Sequence, residues 1–168
     1  MIDLKNCRTR LLGDDVNTDY IISSRRKRES LDPQVLGAYL LEDLDPGFAA
    51  TVRQGDILVA GSNFGCGSAM EVAATVVLGA GIRAVVAKSF SRTYYRNAVN
   101  NGLLPIIADT SGFEEGDGIS ILAAREVVVT NHRTGKTVQA DPMPEIMMRI
   151  LSAGGIVPYF AVHKDFIV

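Results

Sequence analysis

The chain has 168 residues, of which 47% are apolar and 21% charged, with a formal net charge of −2. This is the size of one domain, spanning residues 1–168 and burying its own core, and the near-balanced charge excludes a broad nucleic-acid or membrane surface. Two cysteines, Cys7 and Cys66, far apart in sequence, exclude a disulfide framework and a self-contained cysteine metal site.

The first stretch, MIDLKNCRTR, has charges where a signal peptide needs its apolar run, and no segment has the uninterrupted apolar length of a membrane span, so a cytoplasmic protein is expected. In DDVNTDYII, Asp14 to Ile22, the residues Asp15, Asn17 and Asp19 read as a polar turn before a β-prone segment. Arg25, Arg26, Lys27 and Arg28 follow, either as a solvated face or as a mobile loop whose arginines grip an anionic substrate bidentately. Asp56 to Ala60 reads as a buried strand. It leads through the glycine-rich GSNFGCGS into a helical pattern of Met70, Ala73, Val76, Val77 and Ala80, stopped by Gly79 and Gly81. Ile82 to Ala87 is the next strand, and Lys88 and Arg92 beyond its end have the same two readings as the basic run. A helix is expected over Arg92 to Asn101, with Ser91 as N-cap and Gly102 past its end, before the strand in LLPIIA.

This alternation of strand and helix argues a parallel α/β layer with right-handed crossovers. Ile119 to Leu122, Glu126 to Thr130 and Lys136 to Gln139 are short β-prone runs, the last two joined by the hairpin signal NHRTG, so the sheet is mixed. A last helix runs from Pro144 to about Ser152 and ends at Gly154 and Gly155; Ile146, Met147, Ile150 and Leu151 give it a core face.

GSNFGCGSAMEVA, residues 61–73, fits neither phosphate-binding pattern: Gly61 leads to Cys66, Gly67 and Ser68 where a Walker loop needs Gly-Lys-Ser/Thr, and its glycines are not spaced G-x-G-x-x-G. Ser68 to Glu71 is a Ser-x-x-Glu capping box, which gives Ser68 the structural role of helix cap. The same geometry, with N–H groups and a positive helix end aimed at the serine oxygen, also stabilises that oxygen as an anion, so a cap and a catalytic base are compatible in one residue. His132 and His163 lie far along the chain, which leaves a serine triad without support.

Taken together, DDVNTDYII, GDILVAGSNFGCGS, GAGIRAVVAKSF, YRNAVNNGLLPI and PMPEIMMRILSAGGIVPY resemble, in the right order over nearly the whole chain, the small subunit of 3-isopropylmalate dehydratase, the swivel domain of the aconitase superfamily. The resemblance implies an α/β fold, a three-layer β/β/α swivel domain with a mixed sheet. It implies a hydro-lyase of leucine biosynthesis that removes water from a hydroxy acid and adds it back, active only with a large subunit. That partner carries a 4Fe-4S cluster acting as Lewis acid, and this chain binds no cofactor itself. A small carboxylic acid is the implied substrate, and a homo-oligomer in isolation is compatible with an exposed partner-facing surface.

By the same resemblance Ser68 is the base that takes a proton from carbon, and the loop of roughly Ser23 to Glu29 discriminates substrates. Gly67 and Ala69 beside Ser68, Asn17 and Asp19 in the N-T-D motif, Lys88, Arg26 and Arg28 are the candidate substrate-binding residues. Two departures stand out. The family usually reads GCGSSREHA, so Ala69, Met70 and Val72 replace Ser, Arg and His, and the arginine binds a substrate carboxylate; RRKR replaces a Tyr-Leu-x-x type loop. Either Arg26 or Arg28 supplies the missing cation, or the substrate differs, as a dimethylmalate-like or homoaconitate-like acid would. A non-catalytic anion-binding module is the reading from another class.

Overall fold

The computed structural model describes residues 1–166. Seven strands form one mixed sheet: β1 (Ile2–Leu11), β2 (Ile57–Ala60), β3 (Ala84–Ala87), β4 (Leu104–Ile107), β5 (Gly118–Ala123), β6 (Val127–Asn131) and β7 (Thr137–Gln139), in the order β4-β3-β2-β1-β5-β6-β7. The β1 to β4 side is parallel and the β1-β5-β6-β7 side antiparallel.

β1 belongs to both halves. Its Ile2 to Arg8 part pairs with β5, and Thr9 to Leu11 pairs with Ile57 to Val59 of β2. The register shifts between Leu4 and Cys7, where Asn6 takes φ 52°, and a bulge of this kind bends and twists the strand. The antiparallel half therefore curls over one face of the parallel half. Alternate residues of the fully buried strands fill two different cores. Leu58, Ala60, Val85 and Ala87 face Ala73, Val76, Val77, Tyr94 and Ala98 on the helical side. Ile57, Val59, Ala84 and Val86 face Ile119, Ile121, Val127 and Val129 across the curl. Antiparallel sheet, parallel sheet and helices are the three layers of the expected α/β fold.

The helices are α1 (Thr18–Ile21), α2 (Arg26–Glu29), α3 (Pro33–Gly37), α4 (Phe48–Thr51), α5 (Val72–Gly79), α6 (Arg92–Asn101), α7 (Glu145–Ser152) and α8 (Ile156–His163). α6 has the expected ends: the Ser91 side chain accepts from the Tyr94 N–H, and Gly102 follows with φ 83°. In α7, Pro144 is the N-cap and the buried residues are Met148, Ile150 and Leu151, with Ile146 and Met147 only half-buried. Among the described residues no single helix is long and apolar enough to cross a membrane.

Three elements differ from the sequence expectation. The β-prone YII is the end of a one-turn helix, α1, because Asn17 caps it by accepting the Asp19 N–H at 2.9 Å, while Ile21 and Ile22 are still fully buried. β1 was not expected in a stretch so rich in charge. Arg8 forms a bidentate pair with buried Asp56 (3.1 and 2.6 Å), and buried Arg10 lies over the Phe48 ring and pairs with Glu115. α8 follows Gly154 and Gly155 directly, and Pro158 sits in its first turn, where a missing N–H costs no intrahelical bond.

Candidate active site

The parallel strands β1, β2 and β3 all run out at the same sheet edge, the usual place for a ligand in an α/β layer. Their following loops are clipped together. The Asp15 N–H donates to the Ser62 carbonyl, the Gly65 N–H to Val16 and the Thr18 N–H to Cys66, each at 2.8 Å. On the other side the Phe64 N–H donates to Ser89 and the Ser91 N–H to Phe64, both at 3.0 Å, and the Ser91 hydroxyl donates to the Gly65 carbonyl at 2.7 Å. Phe64 is fully buried against Phe90 and Tyr94 in edge-to-face contacts, and the buried Tyr94 hydroxyl donates to the Ala73 carbonyl at 3.1 Å. DDVNTDYII, GSNFGCGS and the SFS after β3 are thus one rigid platform.

The glycines serve this clipping. A Cβ on Gly61 would overlap the Asp14 side chain, and one on Gly67, which also has φ 92°, would overlap Asn17. A Cβ on Gly65, with φ 76°, would overlap the Tyr94 ring of α6, so the chain's own loop and helix fill the space over all three glycines.

Ser68 departs from the capping expectation. α5 begins at Val72 with Glu71 as N-cap, and no side chain caps it, so the Ser68–Glu71 box is not formed. The physical reason lies upstream: the Thr18 hydroxyl, itself buried, donates to the Ser68 carbonyl at 2.9 Å and holds residue 68 in the loop. Ser68 is exposed, as are Gly67 and Ala69 beside it, and its hydroxyl bonds to no other described residue. Neither histidine reaches it; His132 Nε2 pairs with Ser120 at 2.8 Å on the outer sheet, and His163 packs against Tyr159.

The basic run splits by direction. Arg26 is committed within the chain: bidentate to Glu42 (2.8 and 3.1 Å), bonded to Glu29 (2.9 Å) and stacked 3.7 Å over the Tyr39 ring. The Glu42 carboxyl is held below the usual carboxylate range, chiefly by the Arg26 hydrogen bonds. Arg25 reaches the same Glu42 at 3.5 Å. Arg28 is exposed and makes no ion pair among the described residues. Lys27 turns toward the glycine loop, with its Nζ against the Met70 Sδ and 3.7 Å from Asp19 Oδ1. Lys27 and Thr18 are the residues that sequence reasoning did not single out. The one-turn phase of α2, which sends successive side chains about 100° apart, was the missing signal for Lys27.

Asn17 and Asp19 sit at the start of α1 against the glycine loop, Asn17 as its cap. Lys88 is exposed at the end of β3, its N–H donating to the Gly61 carbonyl at 3.0 Å. The Asp109 carboxyl is held low first by its bonds from Ser111, with the Lys88 charge adding to them. Cys66, in the loop, has its thiol pushed up by burial and then by Asp15; Cys7, in β1, is also pushed up by burial. Among the described residues no three His, Cys, Asp or Glu side chains gather as a metal site, so these residues do not fit an iron–sulfur cluster.

The aconitase C-terminal domain model matches residues 42–111, which include the glycine loop, α5, β3 and α6. The 3-isopropylmalate dehydratase small subunit 1 of Methanopyrus kandleri is 45% identical over 159 residues, 94% of this chain and 92% of that one. The methanogen homoaconitase small subunit of Methanocaldococcus jannaschii is 43% identical over 158 residues, 94% of this chain and 91% of that one. A crystal structure of 3-isopropylmalate dehydratase from Methanocaldococcus jannaschii superposes with a TM-score of 0.91 at 40% identity, covering 97% of this chain and 96% of that one. With identity of this order over nearly its whole length, on the same fold, the chain belongs to the 3-isopropylmalate dehydratase small-subunit family of the aconitase superfamily.

Proposed function

We propose that the chain is the small subunit of a cytoplasmic hydro-lyase that isomerises 2- and 3-isopropylmalate in leucine biosynthesis, acting with a large subunit, and that Ser68 is its base. The observation that carries this is the Ser68 hydroxyl: exposed, released from capping, and fixed through Thr18 on a clipped platform at the strand-end edge. A serine needed only for capping has no reason to stand free of the helix it precedes.

Ser68, as alkoxide, takes the proton from the carbon beside the hydroxyl-bearing one. The C–H electron pair becomes the double bond as the hydroxyl leaves, and water returned with the opposite orientation gives the isomer. When bound, the large subunit's 4Fe-4S cluster supplies Lewis-acid chemistry at substrate oxygen. We assign Asn17 and Asp19 at the start of α1, with the backbone of Gly67 and Ala69, to substrate binding beside Ser68, and Lys88 to added positive charge at the strand-end edge. The Ser68 hydroxyl has no hydrogen-bond partner among the described residues, and we assign its activation to the assembled interface with the large subunit. Tyr20, Leu31 and Val35, exposed apolar side chains on the segment flanking the site, fit a face that the large subunit covers.

A second reading, a homoaconitate-like substrate, is favoured by the 43% identity to a methanogen homoaconitase small subunit. Anaerobic co-expression with the large subunit tests both, with absorbance of the unsaturated acid as readout. The first reading expects kcat/KM to be highest for isopropylmalate, the second for homocitrate or homoaconitate, and activity with neither removes both.

A further inference from the structure

α6 carries its charge at the wrong end. Its first turn holds no acidic residue and begins with Arg92, whereas the positive N-terminus of a helix favours carboxylates and repels a cation. Arg96 follows one turn later, at the spacing where like charges destabilise a helix. Nothing within the chain offsets either charge: both arginines are exposed, and neither side chain makes a hydrogen bond or ion pair with any described residue. Lys88, exposed four residues before Arg92, helps to hold the Asp109 carboxyl low but is not within ion-pair distance of it. KSFSRTYYRNAVNN, from Lys88 to Asn101, thus holds three cations and no acid in a chain whose net charge is −2. An arrangement that opposes its own helix, uncompensated inside the chain, marks a surface kept for something outside it.

The stripe starts at the platform that carries Ser68. The Ser91 hydroxyl, beside Arg92, donates to the Gly65 carbonyl at 2.7 Å, and the Lys88 N–H donates to the Gly61 carbonyl at 3.0 Å. From there it leads away, since four residues of helix carry Arg96 about 6 Å further along the α6 axis than Arg92. A small acid needs a concave site, whereas exposed side chains along a convex helix suit a protein surface. α5 packs against both α3 and α6, so these cations flank it on the side away from exposed Val35 of α3. An apolar patch with charges at its margin is the ordinary make-up of an interface. From this placement we infer that Arg92 and Arg96, with Lys88 at their head, dock an acidic surface of the large subunit and steer its association. The inference rests on the two-subunit reading for its partner and not on the reaction. Margin charges of this kind act on the association rate and its salt dependence, so α6 trades stability for recognition.

The test follows, by anaerobic biolayer interferometry, the association of the full chain with its large subunit at about 0.05 M and about 0.5 M salt, which screen exposed charges weakly and strongly. The wild-type association rate should fall by about 10-fold or more between the two. Arg92→Glu/Arg96→Glu should lower the low-salt rate by about 10-fold or more and flatten the salt dependence, while Arg92→Lys/Arg96→Lys keeps both within about 3-fold of wild type. The Tm of the free Arg92→Glu/Arg96→Glu chain should equal or exceed that of the wild type, because an acid then stands in the first turn of α6. Wild-type association in the charge-reversed chain overturns the assignment; so does slower association that a lowered Tm accounts for, or a change confined to the substrate KM. Salt-sensitive, arginine-dependent association in a complex that dehydrates no hydroxy acid upholds the docking surface and removes the hydro-lyase reading instead. A wild-type chain that does not bind the large subunit removes both.

Discussion

The hydroxyl of Thr18 determines what Ser68 is free to do. By bonding the Ser68 carbonyl it keeps the serine out of α5, and the cap that the Ser-x-x-Glu spacing suggests is never made. Thr18→Val preserves shape and removes that bond, leaving a buried region without one donor; the expected cost is about 1 kcal/mol, read as a drop of roughly 2 to 4 °C in Tm. In the complex, kcat should fall more than this stability loss explains, because the proposed base is no longer held. The residue scale is also where the sequence was least informative. GCGS named the family and pointed to Ser68, but which cation of RRKR faces the site depends on the phase of one helical turn, and a step of one residue rotates a side chain by about 100°. Arg26 and Lys27 are adjacent in sequence, yet one pairs with Glu42 and the other lies against Met70.

Among the elements, β2, β3, β4 and α6 were legible from the sequence because parallel strands covered on both faces are continuous apolar runs, and because Ser91 and Gly102 mark α6 at both ends. β1 was hidden because its charges are matched by partners far away in sequence: Arg8 by Asp56 and Arg10 by Glu115. α8 was hidden by the Gly-Gly before it and the proline inside its first turn. Ser91 does two jobs, capping α6 and donating to the Gly65 carbonyl under the glycine loop. Ser91→Ala should therefore cost about 1 to 2 kcal/mol by chemical denaturation, at the upper end for a cap because both bonds go.

The β6–β7 hairpin carries the clearest pH dependence. Buried Asp117 is bonded by Arg133, by the Glu114 N–H and by Asn131 at 2.7 Å; these bonds, the Arg133 one foremost, hold its carboxyl down to about 2. A carboxylate depressed in the folded state contributes stability that is complete above its unfolded value of about 4 and is lost as pH falls through its folded value. Acid titration of stability should show a loss between about pH 4 and 2, with a shallower slope over that window in Asp117→Asn.

For the whole molecule, one curled sheet brings three chain segments to one edge, while both faces of its parallel half are buried. At that edge the chain presents the exposed Ser68 and Lys88. The fold class and the mixed sheet followed from strand–helix alternation and the hairpin signal. The curl did not, because it depends on a bulge in β1 that has no sequence mark beyond Asn6.

The central claim is that Ser68 moves the proton in a two-subunit hydro-lyase. Its most direct test is the kcat of the anaerobically assembled complex carrying Ser68→Ala, measured beside the Kd for isopropylsuccinate. Loss of a catalytic base predicts a fall in kcat of about 10²- to 10⁴-fold with binding and Tm unchanged; a Ser68→Ala complex that turns over at the wild-type rate would contradict the account.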